Sequence, residues 1–259
     1  MVNQIIEIVK EASVFMQREA MEVHKKGNES NYVTSADIQV QNFLEERLIE
    51  LLPGSHLIGE ENDSNPSDGD FIWVIDPIDG TSNFIRDIGL SVISVALLKR
   101  GEPYLGVVYH PYRNEMYWAE SGKGAFLNGK QIHVSERDFR HSHLCSAMSL
   151  YEKAYAKPCF NVIEKVYEKA DDLRRLGSAA LETAMLAAGR VELYFEIRVY
   201  AWDVAATAVI IKEAGGHMEF MFHESLPLNK PFGVIAANTK ENFEQLKTIV
   251  YGEIPQAMY

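Results

Sequence analysis

An apolar strand that runs straight into two acids and a glycine turn constrains this chain more than any other stretch. It reads Phe71-Ile72-Trp73-Val74-Ile75-Asp76-Pro77-Ile78-Asp79-Gly80-Thr81-Ser82-Asn83-Phe84. Phe71 to Ile75 is β-branched and aromatic, the signature of a buried strand. Pro77 fixes its own φ and pushes Asp76 toward extended backbone. Gly80 permits a tight turn, and Thr81 or Ser82 is placed to cap a following helical turn. A rigid strand thus delivers Asp76 and Asp79 to one point, with free backbone N–H groups just behind them. Carboxylates gather cations, and N–H groups at a helix start gather phosphate oxygens.

The rest of the chain narrows the partners. Its 259 residues suffice for one large domain or two small ones. A net charge of −12 argues against broad contact with nucleic acid or an anionic membrane, but leaves room for a small phosphorylated substrate with cations between. Cys145 and Cys159 form no disulfide framework and no metal knuckle, which suits a reducing cytoplasm. No basic leader precedes an apolar core at the N-terminus, and no apolar run approaches the ~20 residues of a membrane helix.

Periodicity predicts a helix over 3–24, with Ile5, Val9, Ala12, Met16, Ala20 and Val23 on one face. Thr34-Ser35-Ala36-Asp37 matches a capping box ahead of a second helix, lined by Val40, Phe43, Leu44, Leu48 and Leu51. His56 to Glu61 reads as a strand ending in acids. Asp63, Asn65 and Ser67 imitate a calcium loop, but the glycine and the closing acid are misplaced. Strands follow over 90–98, 104–110 and 115–119, then a hairpin about Asn128-Gly129. Near residue 140 the rhythm changes. Strands at 144–150, 173–176 and 191–197 alternate with helices at 158–170, 179–188 and 203–214, then two short strands and a helix over 240–251. The expectation is an α+β lobe over 1–140 with a largely antiparallel sheet, carrying most of the acids. An α/β lobe with a mixed sheet follows over 141–259.

Each acid has an ordinary explanation alone. Asp37 is a capping residue, Asp203 a helix N-cap, and Glu60 or Glu61 a solvated loop acid. Together they are harder to dismiss, because two carboxylates ~4 Å apart repel by about 4 kcal/mol at an effective dielectric of 20. No Lys or Arg lies within the central motif, so a cation is the natural counter-charge. An all-oxygen donor set favours Mg²⁺ or Mn²⁺ over zinc. The pattern points to metal-dependent phosphoryl transfer or phosphate hydrolysis.

Gly59-Glu60-Glu61, Asp76-Pro77-Ile78-Asp79-Gly80-Thr81-Ser82-Asn83-Phe84 and Ala201-Trp202-Asp203-Val204-Ala205-Ala206 closely resemble three signatures of the inositol monophosphatase family, the Mg²⁺-dependent, lithium-sensitive phosphatases. Val33 to Asp37 and Leu176 to Ala180 resemble two supporting motifs. The resemblance implies a layered αβαβα sandwich, a homodimer, and two or three Mg²⁺ per site. It implies that Glu60, Asp76 and the Ile78 carbonyl hold one ion, and Asp76, Asp79 and Asp203 a second. Glu60, with help from Asp37, would hold a weaker third. Thr81, supported by Asp37, would orient the attacking water, with the Gly80 and Thr81 N–H groups on phosphate oxygens. Gly177, Ser178, Ala179 and Glu196 would line the polyol side, and Lys26 either falls where the family has a basic residue near the metal site or is a solvated loop lysine. The chain departs from the family at Ile85-Arg86-Asp87-Ile88-Gly89 and at Thr207; Arg198 is placed either to meet a second phosphate or to form a surface ion pair. The implied activity is hydrolysis of a small phosphomonoester, inositol monophosphate first. Fructose 1,6-bisphosphate, the 2′-phosphate of NADP and a 3′-phosphoadenosine nucleotide are alternatives. A regulatory binding protein on the same fold is the rival of another class.

Overall fold

Strand alternation decides which residues meet in this protein. The structure is a computed structural model and describes residues 1–17, 21–25, 32–61, 69–148 and 152–256. Helix α1 (Val2–Ala12) leads through a 3₁₀ turn to the short antiparallel pair β1 (Val23–Lys25) and β2 (Tyr32–Thr34), then to α2 (Ser35–Leu51). The expected helix over 3–24 therefore stops at Ala12. Val23 lies in a strand, where its β-branched side chain is at home opposite Thr34.

A seven-stranded sheet follows, built from β3 (His56–Gly59), β4 (Phe71–Asp79), β5 (Val92–Lys99), β6 (Glu102–His110), β7 (Glu115–Glu120), β8 (Ala125–Leu127) and β9 (Lys130–Ile132) in that spatial order. Between β4 and β5 lies the one-turn helix α3 (Thr81–Ile85). Only β3 pairs in parallel; the other neighbours are antiparallel. Asn128 and Gly129 both take positive φ in the two-residue hairpin turn, as their order in the chain predicts.

A second, mixed sheet runs in the order β11 (Asp172–Arg174), β10 (His143–Ala147), β12 (Leu193–Val199), β14 (Phe232–Ala237), β13 (His217–Phe220). Its helices are α4 (Ala156–Tyr167), α5 (Ala179–Ala187), α6 (Ala201–Glu213) and α7 (Lys240–Glu253). Elements begin or end a few residues from their expected limits.

Three apolar layers hold the stack together. Trp73 and Ile75 of β4 pack with Ile5 and Val9 of α1 and Val40 and Leu44 of α2. Val74 on the opposite face packs with α5 and α6, whose other side meets Tyr194 and Val234 of the second sheet. Phe195 and Ile235 pack outward on Val162 of α4 and Leu246 of α7. The architecture is an αβαβα sandwich, with the seven-stranded and five-stranded sheets on either side of α5 and α6.

Those two middle helices are alanine-rich because both faces lie against sheets. Gly106 sets the closest approach. A Cβ there would sit 2.1 Å from the Ala206 carbonyl oxygen of α6. Gly106→Ala is expected to destabilise the chain by about 3 kcal/mol, since backbone on both sides has nowhere to move. Urea unfolding in chelator checks this; wild-type stability would show that α6 does not rest on β6.

Candidate active site

Asp76 and Asp79 are three apart, so a regular strand would place them on opposite faces of the sheet. The register solves this. Asp76 faces Ser94 and Asp79 faces Val92, so β4 carries one extra residue between them. That bulge restores parity and turns both acids toward α5 and α6. Pro77, with no N–H to offer a ladder, sits inside the bulge. The Ile78 N–H donates to Asp76 Oδ1 at 3.0 Å. Gly80 then takes φ +88° and starts α3. No Thr81 or Ser82 side chain caps that helix; the cap residue is Gly80 itself, contrary to expectation. A Cβ on Gly80 would lie 3.0 Å from the Leu90 carbonyl and 3.2 Å from that of Gly177, so the turn has room only for glycine.

Asp203 reaches the same point from α6. It is the third helical residue and not the N-cap its position suggested; Tyr200 is the N-cap and donates its N–H to Asp203 Oδ2 at 2.6 Å. Carboxylate oxygens of Asp76, Asp79 and Asp203 lie within 4.8 Å of one another. Among the described residues no Lys or Arg is ion-paired with these three. Burial first, then the charges of Glu60, Asp79, Asp203 and Asp37, hold Asp76 well above the ordinary carboxylate range. Asp203 is likewise held well above it, by burial and then by Asp79. Burial pushes Asp79 up to about 6, against hydrogen bonds from Ser178 and Ala180. Three buried acids that oppose one another's ionisation, supplied only with oxygen donors, suit a hard divalent cation. Glu60 stands at the end of β3, its N–H on the Ile75 carbonyl, and its charge acts on all three. Buried Gln41 accepts the N–H of Glu61 and ties down that turn.

Beside the acids stands a hydroxyl relay. Asp37 is buried at the third position of α2 and completes the predicted capping box: its Oδ2 accepts the Thr34 N–H at 2.7 Å and the Thr34 hydroxyl at 2.5 Å. Its Oδ1 lies 3.4 Å from Thr81 Oγ1, which is 3.1 Å from the Ile78 carbonyl oxygen. Asp37 thus caps its helix and touches Thr81 at once.

The other expected residues fall as follows. Ser178 is buried and gives its hydroxyl to Asp79 Oδ2 at 2.7 Å; the Ala180 N–H donates to the same oxygen at 2.6 Å. Gly177 packs against Asn83, and Ala179 opens α5. Glu196 accepts the Tyr194 hydroxyl at 2.6 Å and is pushed up to about 8, by burial and by the charges of Glu182 and Asp79 against that hydrogen bond. Thr207 meets Thr183 hydroxyl to hydroxyl at 2.9 Å, a contact between α6 and α5. Arg198 is in no ion pair among the described residues, and its Nε is buried without a hydrogen-bond partner. Lys26, Asp63, Asn65 and Ser67 lie outside the described residues. Asn83 lies within the signature but was given no role there; its amide donates to the carbonyls of Leu90 and Leu176. Glu182, a buried acid in α5, went unnoticed. An acid in an otherwise apolar helix was the available signal for the second.

Comparison with known proteins identifies the family and the fold. The inositol monophosphatase family model matches residues 1–253. The Nus factor SuhB of Escherichia coli (strain K12) is 38% identical over 200 residues, covering 76% of this chain and 74% of that protein. A fructose-1,6-bisphosphatase/inositol-1-monophosphatase of Thermotoga maritima is 37% identical over 211 residues, covering 81% of this chain and 80% of that one. The crystal structure of extragenic suppressor protein suhB from Bartonella henselae superposes with a TM-score of 0.88 at 26% identity, covering 98% of this chain and 99% of that one. With its signature acids brought together in a layered fold and the match running from residue 1 to residue 253, the chain belongs to the inositol monophosphatase family.

Proposed function

We propose that this protein is a Mg²⁺-dependent phosphatase of a small phosphomonoester, with inositol monophosphate the first candidate. The observation that carries the reading is the meeting of Asp76, Asp79 and Asp203 within 4.8 Å beside the Asp37–Thr81 contact. Glu60, Asp76, Asp79, Asp203 and the Ile78 carbonyl would hold two or three Mg²⁺, or Mn²⁺, which would supply positive charge to the phosphate oxygens and acidify a water. The chain's own part is orientation and proton handling. The Thr81 hydroxyl has two acceptors in reach, Asp37 Oδ1 and the Ile78 carbonyl, and one proton. As the attacking water gives a proton to the Thr81 oxygen, the hydroxyl's own proton would pass to Asp37 Oδ1, which ends the relay as a carboxylic acid. The Gly80 turn directs the N–H groups of Gly80 and Thr81 to the phosphate. Gly177, Ser178, Ala179 and Glu196 border the alcohol side. A homodimer, inhibition by lithium, a cytoplasmic location and no nucleic-acid or membrane partner belong to the same proposal.

Phosphate release from inositol 1-phosphate, fructose 1,6-bisphosphate, NADP and 3′-phosphoadenosine nucleotides tests it. The expected result is turnover of at least one at millimolar Mg²⁺, lost in chelator and restored by the metal. The relative named as a Nus factor favours a second reading, a regulatory binding protein on this fold. No turnover of any of the four, with a transcription protein retained on the immobilised chain, selects that reading.

A further inference from the structure

Glu182 is a strange residue for its place. It sits in α5, in the run Ala179-Ala-Leu-Glu-Thr-Ala-Met-Leu-Ala187, and is 0% exposed. Its Oε1 accepts the N–H of Leu176 at 2.5 Å and of Gly177 at 3.3 Å. Its Oε2 is buried without a hydrogen-bond partner. Burying a half-satisfied carboxyl is expensive, and an apolar side chain would suit the helix better. The cost calls for a return elsewhere.

That return lies in what the Leu176–Gly177 turn holds. Gly177 takes φ +79°, and the next residue, Ser178, caps α5. The turn is clamped from two sides: Glu182 takes its N–H groups, and Asn83, four residues past Asp79, donates to the Leu176 carbonyl at 2.7 Å. Directly after it come both groups that hold Asp79 Oδ2, the Ser178 hydroxyl and the Ala180 N–H. With Oδ2 engaged twice, Asp79 is fixed in rotation where its carboxylate lies within 4.8 Å of those of Asp76 and Asp203.

We infer that Glu182 is a positioning residue: by splinting the Leu176–Gly177 turn it aims Asp79 at the metal. This rests on the assignment of Asp79 as a ligand. Glu182 touches neither metal nor substrate in this scheme. What matters is its reach, not its charge.

Glu182→Asp and Glu182→Gln separate those two. Aspartate keeps the charge but is one methylene too short; glutamine keeps the reach and one acceptor oxygen without the charge. Mg²⁺ binding to the full-length, metal-free protein, followed by calorimetry with no substrate, gives the answer. Removal of a group that orients a ligand weakens metal binding by about 10- to 100-fold. Glu182→Asp is expected to bind Mg²⁺ at least about 10-fold more weakly, and Glu182→Gln within about threefold of wild type. Near pH 4, where Glu182 is protonated in the folded and the unfolded chain alike, melting temperatures in chelator are expected to differ little, which a purely structural role would not produce. Wild-type affinity in Glu182→Asp, or a loss in Glu182→Gln as large as in Glu182→Asp, overturns the inference. Should Glu182→Asp not fold, amide exchange in the wild-type chain decides: protected Leu176 and Gly177 N–H groups support the splint, and fast exchange there ends it. Absence of Mg²⁺ binding by wild type itself is a separate result, and removes the metal-site reading first.

Discussion

Asp79→Asn is expected to lower phosphate release on the order of 10³-fold, the scale seen when one preorganised charge-stabilising group is lost. The same variant is expected to melt at a higher temperature than wild type in chelator. Both outcomes come from one side chain. Its Oδ2 is already committed to Ser178 and Ala180, so an asparagine keeps those bonds with its amide oxygen. The amide NH₂ then occupies the position of Oδ1 and presents donors where a cation needs an acceptor. Without metal, ionised Asp79 is a liability, since burial raises it from 3.8 to about 6. That rise corresponds to about 3 kcal/mol of strain above pH 6, which the neutral amide removes. A gain of about 5 °C is the expected readout. Stability given up at a site that must bind charge is a common trade. Full activity in the variant would refute Asp79 as a ligand. Lost activity with a lowered melting point in chelator would mean that the mutation had damaged the fold.

The parts of this molecule that were legible in the sequence are those governed by local chemistry. Phe71 to Ile75 announced a buried strand, Asn128-Gly129 its hairpin, and Thr34 to Asp37 a capping box, and each stands where its residues dictate. The ordered acids pointed to one site, and the layered fold came with the family they resemble. What stayed hidden depends on long-range pairing. Val23 fits a helical face as well as a strand, and only its register against Thr34 decides. The bulge that brings Asp76 and Asp79 to one face is a relation between β4 and β5, and no single strand encodes it. The helix start at Ala201 turned Asp203 from a supposed cap into a third-position residue. Ser178 holds Asp79 across 99 positions of chain, which no motif spacing could suggest.

Without metal, the stability of this protein is expected to fall as pH rises from about 4 to 8. Asp76 and Asp203 are raised well above their ordinary values by burial and by neighbouring carboxylates. Asp79 is raised to about 6, Glu182 to about 7 and Glu196 to about 8, burial being the largest cause each time. Below the unfolded values, near 4, both states are protonated and nothing is lost. Between those values and the folded ones the folded chain keeps protons that the unfolded chain releases, so stability declines with rising pH. Glu115 acts in the opposite sense and lower down. Despite burial, hydrogen bonds from Arg190 and Tyr117 hold it at about 2, and its contribution is lost as pH falls below about 4.5. Metal-free stability should therefore peak near pH 4 to 5. Mg²⁺ reverses the upper limb, because it favours the ionised acids that the empty site penalises. At a hundredfold excess over its dissociation constant the ion adds about 3 kcal/mol. The melting-point gain from Mg²⁺ should be larger at pH 8 than at pH 6, and binding near pH 6 should release protons, seen as buffer-dependent heats. Melting curves in chelator across this range provide the check. If metal-free stability rose steadily between pH 5 and 8, the buried acids would not be opposing one another, and the reason to place a cation among them would go with it.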